Sequence, residues 1–347
     1  MKRSFCTYFD NNYLIYGLTM FRSLKKTGMD FQLFVLCLDD VVFEKLASLD
    51  ERVTPIRLSD LESYDRELLA CKNTRSIVEY YFTISPCLPL YLFHKYPELE
   101  MLAYLDSDLY FFSSSEPVFE ELGEKSLLIF EHDFSKSPEQ ISDLYGRFNV
   151  AFQIYRNNKT GLACLNWWRE RCLEWCYDRS ENGKFADQKY LDYWPELWGN
   201  EVIISKNSGA NLAPWNMKKR DLRLEGKQMT VNGQEPLFIH YQGFKIFSRY
   251  SIYWPFWNEE RIPITVWKYF YNIYFREILK TRKEYPALFV RQAFVASRIR
   301  NIQIQGLQFG RAERFLSKIP TRKLQTLCRI LYAMLRRSSP VYFIYTL

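Results

Sequence analysis

Short apolar runs alternate with amphipathic helical stretches through the first hundred or so residues of the chain. The pattern predicts strands at 3–8, 31–38, 53–58 and 101–105, and helices between them at 13–26, 41–49, 61–69 and 76–96. Strands that alternate with helices are typical of βαβ units and of a mainly parallel sheet. We therefore predict an α/β fold with a sheet flanked by helices.

The second half of the chain alternates less regularly. It predicts strands at 126–130, 148–155 and 236–241, helices at 116–122 and 161–177, a helix starting near Asp187, and a loop at 209–216. From about Thr265 the pattern becomes helical, basic and rich in aromatic residues. We predict one domain over residues 1–260 and a basic, aromatic-rich helical extension over residues 261–347.

Two carboxylates interrupt the apolar pattern after the fourth predicted strand. The run that starts at Met101 stops at Asp106, and a second apolar run begins directly after Asp108. In open α/β sheets, ligands bind beyond the carboxyl ends of the strands. Mn²⁺ and Mg²⁺ prefer carboxylate oxygens, and phosphate oxygens often complete their coordination. The pattern favours a metal–diphosphate site, and the alternative is a solvated turn.

Charge is distributed unevenly along the chain. Residues 261–347 carry 17 Lys and Arg against 3 acidic residues, whereas residues 1–260 carry 30 against 37. Lys323 to Arg337 combines helically spaced leucines with basic residues, a pattern typical of a helix that lies on an anionic membrane. The alternative is a helix packed on its own domain. Because no RNA-recognition motif or helix-turn-helix spacing is present, nucleic acid is not an expected partner.

The sequence carries no secretory signal pattern after Met1 and no run of 18 apolar residues. Its eight cysteines are scattered without Cys-x-x-Cys pairs, as in proteins that keep their thiols reduced. We expect a cytoplasmic protein, peripheral on the inner face of the membrane if the basic extension attaches there.

Five short segments follow one another along the chain: Cys6-Thr7-Tyr8 with Tyr13, Asp106-Ser107-Asp108, Phe148-Asn149-Val150-Ala151, Asp187-Gln188 and His240-Tyr241-Gln242-Gly243. Their order resembles that in the GT-A-fold glycosyltransferases, most closely glycosyltransferase family 8. The resemblance spans about residues 6–245. It implies a GT-A (Rossmann-like) mixed, mainly parallel sheet. It also implies retaining transfer of a hexose from a nucleotide sugar, with a UDP-sugar favoured, to a saccharide or lipid-linked glycan.

The resemblance also implies roles for individual residues. The metal ligands for Mn²⁺ (or Mg²⁺) are Asp106, Asp108 and His240. The residues that bind the nucleotide-sugar donor are Thr7, Tyr8, Tyr13, Asn149 and Lys245. Imidazole beside carboxylates suits Mn²⁺, and the cation offsets charge on a leaving nucleoside diphosphate. For the tyrosines the alternative is packing of the first helix onto the sheet, and for Asn149 it is a turn.

Asp187 and Gln188 are implied to contact the donor sugar beside its anomeric carbon. Helix capping is an alternative explanation for Asp187. Trp215 and Asn216 are implied to form part of the acceptor cleft, although a large aromatic residue of this kind is also typical of a core.

The chain departs from the family pattern at two places. Relatives carry an Arg in the helix before the metal strand, but Thr83 stands there and Arg75 lies two turns earlier. Relatives end the His240 segment with His-x-x-Gly-x-x-Lys-Pro-Trp. In this chain Lys245 stands one place earlier than the Lys of that pattern, and no Pro-Trp follows it. A phosphate contact is therefore in question at both places.

Two other enzyme classes and one binding function compete with this interpretation. A haloacid-dehalogenase-type phosphatase requires Thr or Val where Tyr110 stands, and a nucleotidyltransferase requires an N-terminal Gly-rich loop that the sequence lacks. A degenerate transferase fold that only binds membranes remains the alternative without catalysis.

Overall fold

A seven-stranded mixed sheet is the centre of the fold, in a computed structural model that describes residues 2–135, 137–248, 251–253, 264–289 and 341–343. Its strands lie in the order β3-β2-β1-β4-β7-β6-β8. They are β1 (Arg3–Phe9), β2 (Phe31–Cys37), β3 (Val53–Arg57), β4 (Met101–Leu105), β6 (Leu127–Glu131), β7 (Phe148–Arg156) and β8 (Val202–Ile204). Only β7 runs antiparallel to its neighbours β4 and β6; the other four pairings are parallel. The predicted mainly parallel sheet is confirmed.

The helices flank this sheet. They are α1 (Leu14–Lys26), α2 (Asp40–Leu46), α3 (Leu58–Tyr64), α4 (Arg66–Cys71), α5 (Ile77–Lys95), α6 (Glu116–Leu122), α7 (Pro138–Tyr145), α8 (Lys159–Glu174), α9 (Trp194–Trp198) and α10 (Ile264–Glu284). Short 3₁₀ turns lie at Lys72–Thr74, Gln188–Tyr193, Gly199–Glu201, Met217–Lys219 and Pro286–Phe289.

Two predicted helices differ from the structure. The helix predicted over 61–69 is two helices, because Asp65 leaves the helical conformation and its side chain caps α4 by accepting a hydrogen bond from the Leu68 amide. The helix predicted near Asp187 is a 3₁₀ turn, and the Asp187 side chain makes no capping hydrogen bond there. The capping explanation for Asp187 is therefore wrong.

Two strands form a small sheet beside the main one. Strand β5 (Leu109–Phe111) pairs antiparallel with β11 (Phe238–His240). Strands β9 (Leu222–Glu225) and β10 (Gln228–Val231) form a separate hairpin. The β5–β11 pairing joins the segment after Asp108 to the strand that carries His240.

Helix α10 packs its aromatic side chains near the β5–β11 sheet. The ring of Tyr274 stacks on Tyr241, with centroids 3.8 Å apart, and meets Tyr110 edge-on. The Tyr241 hydroxyl donates to the Phe270 carbonyl at 3.0 Å. Burial of these rings supplies an apolar driving force that attaches α10 to the body of the molecule.

Contacts divide the described residues into two units. The first comprises those within Met1–Tyr241 and Ile262–Glu284, and the second those within Gln242–Arg261 and Tyr285–Leu347. Helix α10 thus groups with the first unit, whereas the sequence-based division after residue 260 placed it in the extension. In the second unit, β12 (Lys245–Ser248), β13 (Ser251–Tyr253) and β14 (Val341–Phe343) form an antiparallel sheet.

The amphipathic helix predicted at Lys323–Arg337 lies outside the described residues. In the described part of the chain, no helix combines the length and the apolar character needed to cross a bilayer.

Candidate metal and donor-sugar site

The two carboxylates lie where β4 ends and the chain turns into β5. The Asp106 amide donates to the Ala151 carbonyl at 2.8 Å, and the Asp108 carbonyl accepts from the Tyr241 amide at 3.1 Å. The neighbouring strands β7 and β11 therefore hold both ends of the turn. Parallel pairing of Cys6 with Tyr104 places the end of β1 at the same edge of the sheet. The polar ends of β1 and β4 therefore lie side by side.

His240 completes a cluster of three metal-type ligands. It pairs with Leu109 across the β5–β11 sheet, which brings its ring to the carboxylates. Its Nε2 atom lies 3.2 Å from Asp108 Oδ1 and 3.6 Å from Asp106 Oδ2. One donor atom from each residue falls within 4.8 Å of the others. The predicted ligand set is thus brought together by segments far apart in sequence.

Two aromatic residues contact the ligands of this cluster. The Tyr104 hydroxyl donates to Asp106 Oδ1 at 2.9 Å. The Trp215 ring meets the His240 ring edge-on, with centroids 5.4 Å apart. Tyr104 was missed in the sequence, although alternation along a strand directs residues two apart to the same side. That period of two was the available signal.

The carboxylates and the imidazole perturb one another. The pKa of Asp106 is raised to about 6, mainly by desolvation. The His240 ring and the Tyr104 hydrogen bond lower this pKa, and the Asp108 charge raises it further. Burial lowers the pKa of His240, but the Asp108 and Asp106 carboxylates outweigh it, so the pKa is raised overall. The cluster therefore concentrates negative charge that a cation would neutralise.

These residues fit a divalent cation. Two carboxylates and an imidazole are a donor set that Mn²⁺ accepts, and Mg²⁺ binds the carboxylates. The His240 side chain is buried and presents Nε2 to both acids, whose side chains are 31% and 15% exposed. The carboxylate oxygens are therefore partly exposed, whereas the imidazole is buried.

Asp187 is buried close to the cluster of Asp106, Asp108 and His240. Its pKa is raised to about 7 by burial, and the nearby Asp106 charge also raises it, while a hydrogen bond with the Ser85 hydroxyl lowers it. The preceding residue, Ala186, adopts φ +45°, a left-handed conformation that an alanine rarely takes. Backbone strain and an unneutralised buried acid are features typical of functional sites.

Asn149 lies on the strand that was predicted for it, whereas Gln188 lies in a 3₁₀ turn where a helix was predicted. The Gln188 amide donates to the Tyr145 carbonyl at 2.6 Å, which ties the 3₁₀ turn to the end of α7. Asn149 is buried in β7, and its side-chain oxygen accepts from the Ala151 amide at 2.7 Å. Their contacts with a donor sugar stay predictions.

The end of β1 and the start of α1 carry the predicted nucleotide-binding residues. Thr7 is fully buried, and its hydroxyl has no hydrogen-bond partner among the described residues. Tyr13 is 42% exposed, and desolvation followed by the Asp108 charge raises its pKa. The Tyr8 hydroxyl lies 3.1 Å from Ser85 Oγ. The charges of Asp106 and Asp108 act on Tyr8 and Tyr13, so both tyrosines lie near the carboxylates, and binding of a nucleotide stays a prediction for all three residues.

The two residues predicted for the acceptor cleft are buried. Asn216 donates to the carbonyls of His132 and Asn211 and accepts from the Ala213 amide, so it fixes the loop in which it lies. Trp215 is 3% exposed and contacts His240. Trp215 therefore lies against His240, and Asn216 orders the loop next to it, while an acceptor contact of either residue stays a prediction.

Arg75 serves a different purpose from a phosphate contact. Its guanidinium donates to the Cys172, Leu173 and Cys176 carbonyls, which satisfies the C-terminal end of α8. The Thr83 hydroxyl donates to the Glu79 carbonyl within its own helix at 2.8 Å. Lys245 begins β12, and its side chain is outside the described part of the chain, so its predicted phosphate contact is untested.

Comparisons with known proteins give relatives at the sequence level. The chain is 33% identical over 256 residues to the uncharacterised protein YfnF of Bacillus subtilis (strain 168), covering 72% of this chain and 84% of YfnF. It is 30% identical over 265 residues to the uncharacterised protein YfnD of the same organism, covering 75% of this chain and 84% of YfnD. No protein-family model matches the chain.

Among solved structures, the galactosyltransferase LgtC in complex with donor and acceptor sugar analogues shares the fold. The match has a TM-score of 0.51 at 15% identity and covers 82% of this chain and 99% of LgtC. The seven-stranded sheet and the strand-end Asp-x-Asp agree with this likeness. The chain therefore belongs to the same family as YfnF and YfnD, and it has the GT-A fold of the nucleotide-sugar glycosyltransferases.

Proposed function

We propose that the protein is a divalent-metal-dependent glycosyltransferase that moves a hexose from a nucleotide sugar to a saccharide or lipid-linked glycan. A UDP-sugar is the favoured donor, and the anomeric configuration is retained. The observation that carries this proposal is the convergence of Asp106, Asp108 and His240 beside the buried Asp187. Such an arrangement couples a site for a diphosphate-bound cation to a carboxylate in the same cleft.

In this proposal Asp106, Asp108 and His240 hold Mn²⁺ or Mg²⁺, and Tyr104 and Trp215 keep the ligands in place. When bound, the cation supplies positive charge that stabilises the departing nucleoside diphosphate. Thr7, Tyr8 and Tyr13 bind the nucleoside portion of the donor. The unpartnered hydroxyl of Thr7 supports this role, because a buried polar group without a partner costs about 1–3 kcal/mol until a ligand satisfies it.

Asp187 acts on the sugar itself. A carboxylate close to the anomeric carbon stabilises the positive charge that develops there as the bond to the leaving group breaks. Its buried position excludes water, which strengthens that interaction and limits hydrolysis. Gln188, the next residue in the 3₁₀ turn, contacts the same sugar, and Asn149 contacts the donor sugar or the acceptor.

We also propose that the basic C-terminal region holds the enzyme on an anionic membrane surface, where lipid-linked acceptors are found. The support is the sequence: residues 290–347 carry 11 Lys and Arg against a single acidic residue. Each basic residue close to anionic lipid contributes about 1 kcal/mol. The catalytic unit and the basic region would then serve one task.

The test of the proposed activity is hydrolysis of UDP-, GDP- and dTDP-sugars, followed by NMR with Mn²⁺ and with a chelator. We expect turnover of one donor that requires the metal and falls at least about 100-fold in Asp106→Asn, because the loss of one ligand charge weakens the cation site. The NMR spectrum of the first-formed sugar also reports its anomeric configuration.

The matched control is Asp60→Asn, which removes the same charge from an exposed position on α3. It should keep wild-type turnover. If no donor is turned over or changes the melting temperature, the catalytic proposal is overturned and a membrane-binding protein on a transferase fold takes its place.

A further inference from the structure

Tyr241 lies between two of the proposed metal ligands. It directly follows His240 in sequence, and its backbone amide donates to the Asp108 carbonyl at 3.1 Å. The His240 amide donates to the Leu212 carbonyl at 2.8 Å. The bond from Tyr241 therefore closes the β5–β11 ladder at the point where both ligands leave it.

The sheet that brings these ligands together is small. Strands β5 and β11 contribute three residues each. A two-stranded sheet without further support is at best marginally stable in water. The bond between Tyr241 and Asp108 lies at the end of this ladder, and the ends of elements open most easily. The spacing of the ligands therefore depends on what packs against the sheet.

Helix α10 supplies this support through the side chain of Tyr241. The Tyr241 hydroxyl donates to the Phe270 carbonyl at 3.0 Å. Its ring stacks on Tyr274, with centroids 3.8 Å apart and an interplanar angle of 13°, and meets Tyr271 edge-on at 5.1 Å. All three tyrosines are fully buried. One hydrogen bond and two ring contacts thus fix the end of β11 to a single helix.

The same helix also contacts β5 and is anchored to α1. The Tyr274 ring meets Tyr110 of β5 edge-on, with centroids 5.8 Å apart. The Arg22 guanidinium of α1 donates to the Thr281 hydroxyl at 3.0 Å and to the Glu284 carboxylate at 2.8 Å. Because α10 is held by α1 and touches both strands, it fixes β5 and β11 relative to each other.

The His240 ring itself lacks the usual second hydrogen bond. Histidines that bind metals generally donate their other ring N–H to a nearby oxygen, which sets the direction of the ring. The Nδ1 atom of His240 is buried and has no hydrogen-bond partner in the part of the chain that the structure describes. The direction of the ring therefore depends on the edge-on contact with Trp215 and on the position of the backbone.

We infer that Tyr241 is a positioning residue, through which α10 holds the backbones of Asp108 and His240 at the spacing that a divalent cation requires. This inference rests on the proposed metal-dependent function. Helix α10 lies beyond residues 6–245, which carry the family resemblance, so the motifs alone do not reveal its role. Loss of a group that orients a ligand typically weakens metal binding by about 10- to 100-fold.

The experiment measures the affinity of the metal-free, full-length protein for Mn²⁺ by titration, with the free ion detected by EPR and no donor present. Tyr241→Phe removes only the hydroxyl that bonds to α10, and we expect it to weaken Mn²⁺ binding by about tenfold. The matched control is Tyr190→Phe. Tyr190 is also buried, and its hydroxyl donates to the Trp175 carbonyl at 2.7 Å. This variant should keep wild-type Mn²⁺ affinity.

A second variant, Tyr274→Leu, removes the stacked ring from α10 itself and serves if Tyr241→Phe does not fold. It should also weaken Mn²⁺ binding by about tenfold. A Mn²⁺ affinity within about twofold of wild type in the folded variants, or an equal loss in Tyr190→Phe, would overturn the inference while leaving the proposed function intact. A wild-type protein that binds no Mn²⁺ and turns over no donor would overturn both.

Discussion

Burial of the Asp187 carboxylate destabilises the folded protein when the carboxylate is ionised. Its pKa is about 7 in the folded protein, chiefly because of burial, against an ordinary value of 3.8. Between pH 3.8 and pH 7, Asp187 therefore stays protonated to a greater extent in the folded state than in the unfolded state. The resulting destabilisation is absent below about pH 3.8, increases as the pH rises, and is complete above about pH 7.

We predict that Asp187→Asn is more stable than wild type at pH 8 in the presence of chelator. The amide keeps the shape of the side chain without a charge to bury, and the gain is on the order of 4 kcal/mol at full ionisation. Thermal unfolding at pH 5, 7 and 8 measures it, and the difference should narrow at pH 5. Equal pH dependence of the two proteins would show that burial of this carboxylate is not costly.

The same substitution should abolish most donor turnover in the metal-loaded enzyme. Stability and activity would then move in opposite directions at a single residue, as expected where a site keeps an unfavourable charge for its chemistry.

At the scale of elements, an ion pair fixes α4 against α8. The Arg169 guanidinium makes two hydrogen bonds to the buried Asp65 carboxylate, at 2.6 and 2.5 Å. Burial raises the pKa of Asp65, but the Arg169 bonds and the Leu68 amide outweigh it, so the pKa is lowered. The stabilisation is therefore present above the ordinary Asp pKa and is lost as the pH falls through the lower, folded value.

We predict that Arg169→Met destabilises the protein by about 3 kcal/mol at pH 7, because it leaves a buried carboxylate unpaired. Chemical denaturation measures the change, and the deficit should shrink at acid pH. Arg171→Met, on the same helix, breaks only an exposed pair with Glu174 and should cost less than about 1 kcal/mol. Equal losses in the two variants would contradict the argument.

What could be predicted from the sequence depends on how local each signal is. The Asp106–Asp108 turn was visible because two apolar runs flank it directly. The contact of Arg75 with the end of α8 was not, since it joins the segment before α5 to a distant helix and neither segment's periodicity encodes the contact. Similarly, the aromatic residues of α10 were apparent, but hydrophobic pattern alone does not say which surface a helix covers.

At the scale of the whole molecule, positive charge is concentrated in one part of the sequence, residues 290–347, which carry 11 Lys and Arg against one acidic residue. We predict that the full-length protein binds vesicles containing anionic lipid and that removing residues 290–347 abolishes binding. Co-sedimentation at low and high salt measures it, and binding should weaken as salt screens the charges. Donor hydrolysis in solution by the truncated protein tests whether the catalytic unit is intact.

The control is a full-length variant with Arg336→Glu and Arg337→Glu, which keeps the length of the chain but reduces its charge. It should bind more weakly than wild type. Vesicle binding that is unaffected by truncation would place the membrane contact elsewhere, and a protein that never binds would remove the membrane proposal.

The antiparallel register of β5 and β11 has a consequence for biosynthesis. His240 reaches the two acids only when it lies opposite Leu109, and a slip of one residue would turn its imidazole to the other face of the strand. Such long-range pairing forms slowly compared with local helices. If Asp106, Asp108 and His240 hold a divalent cation as we propose, a nascent chain must emerge well past residue 240 before it can bind one. Metal affinity would then report whether synthesis and strand pairing have both been completed.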